Sequence, residues 1–292
     1  MQLNKRTGRI ILWMVSSLLS LTLGMTIGSF GIARSNAVQS PQSSTANPQE
    51  RGIDANLYMQ TSAEYAAVCL QTYNWALERL KMKLAATKHG DLRPAVVMDL
   101  DETVIDNSAY QSFLYREKAQ STAQNWEVWE KGYPQEVRLV PGAKAFVDAA
   151  EQMSVAVVYI SNRGTKNQEG TIAALKHVGL STEDISNRLL LRDNTSDKTP
   201  RRKIAEGRFN VLMYFGDNLR DFSEEFVAPS NLNGNDAAEK QAIADRFAKV
   251  QRANYRWGND WIVLPNPAYG EWMRLLGNDP ARKFRPTEMK MP

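Results

Sequence analysis

Beyond residue 90, five short apolar runs interrupt an otherwise mixed polar sequence: residues 94–98, 154–160, 189–191, 210–215 and 261–264. They are too short for helices, are rich in Val, Ile and Leu, and do not alternate with polar residues. That is the pattern of strands buried on both faces of a parallel sheet. Helical patterns separate most of them, from about Gly142, over 169–178, over 200–206 and over 236–250. Strands alternating with helices predict an α/β fold whose parallel sheet is flanked by helices. Upstream, Thr61 followed three residues later by Glu64 predicts a capping box, opening a long N-terminal helix that runs to about Ala86.

The chain opens differently. Lys5, Arg6 and Arg9 precede residues 10–33, which are almost wholly apolar or small, and Ser35-Asn36-Ala37 follows. This predicts an export signal over residues 1–37. The apolar stretch is long enough to be either a cleaved signal peptide or a retained signal anchor, and cleavage is favoured. Both outcomes put the rest of the chain outside the cytoplasm, in the periplasm, cell envelope or medium. Residues 38–57, rich in Ser, Gln, Asn and Pro, are expected to be a flexible linker. Residues 58–276 then form the globular domain, and 277–292, with Arg282, Lys283 and Arg285, form a solvated basic tail.

Charge removes one class of partner. The formal charge is +4, but Lys5, Arg6, Arg9 and Arg34 all lie in the acid-free first 37 residues; without them the 36 basic residues fall to 32, level with the 32 acids. A near-neutral domain without a basic stripe is a poor match for a nucleic-acid duplex. Cys69 is the only cysteine, so no intramolecular disulfide forms, and Trp75 stands where a cysteine-based phosphatase would need arginine. His89 and His177, the two histidines, are in contexts that suggest neither a histidine nucleophile nor a zinc site.

The residues able to do chemistry stand where apolar runs stop. Asp99 and Asp101 follow the first, Ser161-Asn162-Arg163 the second, and Gly216-Asp217-Asn218 the fourth. Ligands of open α/β sheets bind at the carboxyl ends of strands, so three polar clusters converge if these strands are neighbours. Of two carboxylates two residues apart, one can attack phosphorus and the other can protonate the leaving group and then activate water. A phosphate dianion needs a cation between itself and such acids, and Asp217 adds a third hard oxygen donor suited to Mg²⁺. Ser161 can donate to a phosphoryl oxygen, and Lys198, at a predicted helix start, is the best-placed lysine to balance its charge.

Residues 97–107, containing Asp99-Leu100-Asp101-Glu102-Thr103 and the trailing Asp106-Asn107, resemble the first motif of the haloacid dehalogenase superfamily in its class C acid phosphatase and lipoprotein e type 5′-nucleotidase branch (subfamily IIIB). Residues 159–163 are similar to the second motif, Lys198 with Arg201-Arg202 to the third, and residues 216–222 to the fourth. The resemblance runs from about Tyr58 to Leu276. It implies a Rossmann-like sheet with a small helical cap-like insertion, and a Mg²⁺-dependent phosphomonoesterase. Asp99 would be nucleophile and metal ligand. Asp101 would be acid/base, meeting the metal through its backbone carbonyl. Asp217 would be a direct ligand, and Asp221 would support the metal's water shell. Ser161, Asn162 and Lys198 would hold phosphate. Trp126 and Tyr269 match positions that stack on a nucleobase, and Arg163 is a further candidate for substrate contact. The expected substrate is a small phosphomonoester, with nucleoside 5′-monophosphates favoured over a broad range of phosphates. A non-catalytic phosphate- or metal-binding envelope protein is the alternative from another class. Membrane anchoring through the N-terminal segment and a homodimer are both compatible with the resemblance. No cysteine follows the apolar N-terminal run, which excludes a lipid anchor, and the long stretch 229–254 is expected to reshape one wall of the site.

Overall fold

The structure is a computed structural model that describes residues 52–87, 90–232, 234–286 and 289. The segment expected to be an export signal (residues 1–37), the segment up to residue 51 expected to be linker, and tail residues 287, 288 and 290–292 lie outside the described residues. Among those described, no helix is long and apolar enough to cross a membrane.

All five apolar runs are strands of one parallel sheet. β1 (Pro94–Met98) lies at its centre, between β4 (Ala156–Gly164) and β6 (Asn210–Gly216); β5 (Leu189–Arg192) and β7 (Trp261–Val263) form the edges, in the order β5-β4-β1-β6-β7. Ala95 pairs with Ala156 and Val211, and Met98 with Tyr159 and Phe215. The valine-rich β1 is buried on both sides because successive side chains point to opposite faces. Val96 and Met98 pack in one core with Tyr73, Leu80 and Phe146, while Ala95 and Val97 pack in a second with Ala205. The first face is thus covered by α2 (Ala63–Ala86) and α5 (Ala143–Gln152), and the second by α8 (Thr199–Arg208). Gly142 precedes α5 with φ of 90°, and a Cβ there would press on the Tyr73 ring at 3.1 Å. Only glycine meets both demands.

A helical insertion interrupts the alternation after β1. Strands β2 (Ile105–Asp106) and β3 (Arg138–Leu139) pair antiparallel, and between them lie α3 (Ser108–Arg116) and α4 (Ala123–Gly132). The remaining helices are α6 (Gln168–His177), the short α7 (Ile185–Arg188) and α9 (Asp236–Arg252).

Four expectations need correction. The capping residue is Ser62, whose hydroxyl accepts from the Tyr65 N–H at 3.2 Å, while Thr61 turns back to donate to the Leu57 carbonyl. Thr61 in fact ends a separate helix, α1 (Ile53–Thr61), so ordered structure begins inside the segment read as linker. The apolar residues of α1 (Ile53, Leu57, Tyr58 and Met59) do not gather on one helical face, which conceals its anchorage on α3, where Asn56 Nδ2 donates to Ser112 Oγ at 2.8 Å and Gln60 Nε2 reaches Ser108 and Ser112. The stretch 229–254 does not line the site. Its helix α9 packs through Ala242 on Ala228 and Leu275, behind the wall. The tail is not wholly solvated either, since Lys283 Nζ lies 2.5 Å from both Asp236 and Glu239.

Candidate active site

Above the carboxyl ends of β1, β4 and β6 opens a cavity of about 640 Å³. Its floor holds Asp99, Asp101, Asn162, Lys198, Asp217 and Asp221. Its walls come from α1, α3, Trp126 and the loop carrying Ala268 and Tyr269.

Asp99 is the first residue past β1, with its N–H donating to the Phe215 carbonyl, and the residue is 9% exposed. Lys198 caps α8 and is 4% exposed; its ammonium donates to Asp99 Oδ1 at 2.6 Å and Asp221 Oδ1 at 2.7 Å. Burial opposes the lysine's charge, yet Asp221 and Asp99 outweigh it and hold the ammonium more firmly protonated than usual. The same crowding acts oppositely on the acids. Burial, against the pull of Lys198 and with the repulsion of Asp221 and Asp101, pushes the Asp99 carboxyl up to about 7. Asp217 is driven well above the carboxylate range by burial and by Asp221 and Asp99. It is held by Asn266 Nδ2 at 2.8 Å and more distantly by Thr103 Oγ1 at 3.4 Å. Asp221 completes a capping box with Asn218, and Gly216 is needed beside it because any Cβ would collide with its carboxyl.

Carboxylate oxygens of Asp99, Asp217 and Asp221 lie within 4.8 Å of one another. Three acids facing one ammonium leave excess negative charge in a buried place. A divalent cation with a preference for oxygen fits that donor set, and no histidine or cysteine belongs to it.

Asp101 turns away from this cluster. Its Oδ1 accepts from Arg163 Nε and Asn107 Nδ2, each at 2.9 Å, and forms an ion pair with Arg163 Nη2 at 2.8 Å; its Oδ2 accepts from Ser161 Oγ at 3.3 Å. Arg163 is therefore not a substrate-facing residue. It is 1% exposed, absent from the cavity lining, and engaged by Asp101 and by Asn107 Oδ1. Ser161 is likewise fully buried, its hydroxyl on Asp101 and also accepting from the Arg163 N–H, so it does not line the cavity as expected of a phosphate ligand. Asn162 does line it, held by Arg201 Nη2 at 2.7 Å. Trp126 and Tyr269 both reach the cavity. Trp126 packs edge-on against Tyr110 with ring centroids 5.2 Å apart, and Tyr269 is fixed by its N–H donating to Asn266 Oδ1.

Three supporting residues escaped the sequence reading. Asn107 joins Asp101, Arg163 and the Trp129 indole; Glu102 accepts from the Asn107 N–H at 2.7 Å; Asn266 holds Asp217. Glu102 adopts φ of 57°, in the left-handed region, as the chain turns tightly after β1. Burial, with Asp101 and Asp217 close by, pushes its carboxyl well above the usual range. The trailing Asp106-Asn107 of the first motif was the available signal for Asn107; nothing local marks Asn266.

The family model for the haloacid dehalogenase superfamily, subfamily IIIB (acid phosphatase), matches residues 23–272. The chain belongs to this acid phosphatase family. Among solved structures it is similar to the class C acid phosphatase from Bacillus anthracis, at 31% identity and a TM-score of 0.67, covering 79% of this chain and 89% of that one. It is also similar to a tungstate-bound crystal structure of the Bacillus anthracis class C acid phosphatase, at 30% identity and a TM-score of 0.67, covering 80% and 94%. The chain is thus a phosphomonoesterase, and the envelope protein without turnover is set aside.

Proposed function

We propose that this phosphatase is exported, depends on Mg²⁺, and hydrolyses nucleoside 5′-monophosphates through an aspartyl phosphate on Asp99. The observation that carries the reading is one cavity combining the buried Asp99–Lys198 pair on its floor with Trp126 and Tyr269 on its walls. Asp99 attacks phosphorus through one carboxylate oxygen, and the bond to the leaving oxygen breaks. Asp101 gives that oxygen its proton, so the first product departs as an alcohol. Asp101 then takes a proton from water, which attacks the aspartyl phosphate and releases phosphate. Lys198 offsets negative charge on the transferring group, and Asn162 borders the same space. Asp99, Asp217 and Asp221, with the Asp101 carbonyl, would hold Mg²⁺, and the ion would supply the charge neutralisation that lets an anionic substrate approach these acids. The similar tungstate-bound enzyme supports an oxyanion site in this fold. Two aromatic walls suit a nucleotide because every base presents a π-face. Export rests on residues 1–37 alone.

A panel of phosphomonoesters, with purified protein lacking residues 1–37 and with or without Mg²⁺, tests the reading. Nucleoside monophosphates should lead, and only with metal. Equal turnover of glycerol phosphate and nucleotides would make this a broad-specificity phosphatase.

A further inference from the structure

Arg163 is a strange residue to find with 1% exposure beneath an active site. Burying an ion pair removes two charges from water, and a well-packed apolar pair of similar volume is often as stable or more so. The contacts suggest what it provides. Two hydrogen bonds, from Arg163 Nε and Asn107 Nδ2, converge on one oxygen of Asp101, Oδ1, and Arg163 Nη2 stands in ion-pair contact with the same atom. The other oxygen, Oδ2, meets, among the described residues, the Ser161 hydroxyl alone, at 3.3 Å. A proton carried by Asp101 cannot sit on an oxygen that already accepts two N–H hydrogen bonds and pairs with the guanidinium, so it must sit on Oδ2. Asn107 is itself locked, fully buried, with its Oδ1 accepting from the Trp129 indole at 2.8 Å and from Arg163 Nη2 at 2.9 Å. The guanidinium also lies 5.7 Å from the ring centroid of Trp126 on the cavity wall.

We propose that Arg163, with Asn107, is the positioning residue of the acid catalyst: it holds Asp101 Oδ1 so that Oδ2 alone presents the proton to the leaving oxygen. This rests on the acid/base reading of Asp101. Arg163 touches no reacting atom; it fixes a rotamer and chooses an oxygen. Misplacing a catalytic group by about 1 Å can cost on the order of 10²-fold in rate.

The test uses two substrates that differ in their need for an acid. Nitrophenolate leaves from 4-nitrophenyl phosphate without protonation, whereas the alkoxide of glycerol phosphate does not leave readily. The comparison is of kcat/KM, which reports only steps up to the aspartyl phosphate and so excludes the later water step. The ratio of the two kcat/KM values within one preparation does not depend on how much of it is folded. Arg163→Gln should lower kcat/KM for glycerol phosphate about 100-fold and for 4-nitrophenyl phosphate less than about threefold. Arg163→Lys, which keeps the charge but loses the fork, should recover part of the loss. Asp101→Asn is the control and should show the same selectivity more strongly. If Asp101→Asn discriminates between the substrates and Arg163→Gln lowers both equally, the positioning role is wrong while the acid reading stands. If Asp101→Asn also lowers both equally, the acid reading fails and takes the proposal with it. Should Arg163→Gln not fold, Asn107→Ser carries the same test, and an equal loss on both substrates there overturns the proposal.

Discussion

The floor and the wall of the cavity are built by different means. The floor sits at the ends of parallel strands, where backbone ladders fix Asp99 beside Phe215 and bring Lys198, Asp217 and Asp221 against it. Its groups are buried and mutually strained, as the upward displacement of Asp99 and Asp217 shows. The wall is made by side chains on short helices and a loop, α1 resting on α3 through amide–hydroxyl bonds and Trp126 resting on Tyr110. A floor whose charges depend on one another should fail abruptly when altered. A wall made of separate surfaces should fail by degrees, and differently for different substrates.

The largest effect should come from Asp99→Asn, which keeps volume and removes the nucleophile. Turnover of every phosphomonoester should fall by on the order of 10⁴-fold or more, with an unchanged circular dichroism spectrum. Near-normal rates in steady-state assays would end the covalent reading and the distinction between floor and wall.

Metal removal comes next. EDTA should abolish activity and Mg²⁺ restore it. The repulsion on the floor adds a stability signature. A carboxyl with a raised pKa in the folded state favours folding while protonated, so that contribution is present at low pH and is lost as pH rises from about 4 through about 7 for Asp99. In EDTA the melting temperature should therefore be lower at pH 8 than at pH 6, and Mg²⁺ should raise it more at pH 8. A chelated protein whose stability rises across that interval would contradict the crowding of acids.

Substitutions in the wall should be milder and selective. Trp126→Ala or Tyr269→Ala should raise KM for nucleoside monophosphates roughly tenfold to a hundredfold, the range expected of one lost base–aromatic stack. Glycerol phosphate hydrolysis should hardly change. Equal losses on both substrates would assign these aromatics to the core.

The smallest effect should lie behind the wall, where Lys283 pins the tail to α9. Lys283→Ala should lower the melting temperature slightly and leave kcat unchanged. Lys283, with Lys240, holds the Asp236 carboxyl down to about 2. A depressed carboxyl pKa contributes stability above about 4 that is lost as pH falls through the folded value. The gap between Lys283→Ala and the unsubstituted protein in thermal melts should accordingly narrow as pH drops from 4 toward 2. A constant gap over that interval would mean that the pair contributes nothing.

Much of the floor could be read directly from the chain. Each strand announces itself as a short apolar run, and the first polar residue after it must lie at the strand's end, where α/β sheets bind ligands. Asp99, Asp217 and the helix-opening Lys198 follow from such local rules. The wall was less legible: the start of α1 reads as linker because its apolar residues do not gather on one helical face and the helix is recognisable only once its partner α3 is in place, and the basic tail conceals Lys283 inside an ion-pair cluster. Side-chain direction was not legible at all. Asp99 and Asp101 are two residues apart, yet one faces Lys198, 99 positions along the chain, and the other Arg163, 62 positions along. The sequence by itself determined which segments become strands and which acids stand at their ends, because hydrophobic run length and its polar break are local properties. Only the tertiary structure decided that β4 and β6 flank β1, that Arg163 and Ser161 turn under Asp101 rather than toward the cavity, and that stretch 229–254 stands behind the wall. Those outcomes depend on how segments far apart in the chain pack together, and no local pattern encodes them.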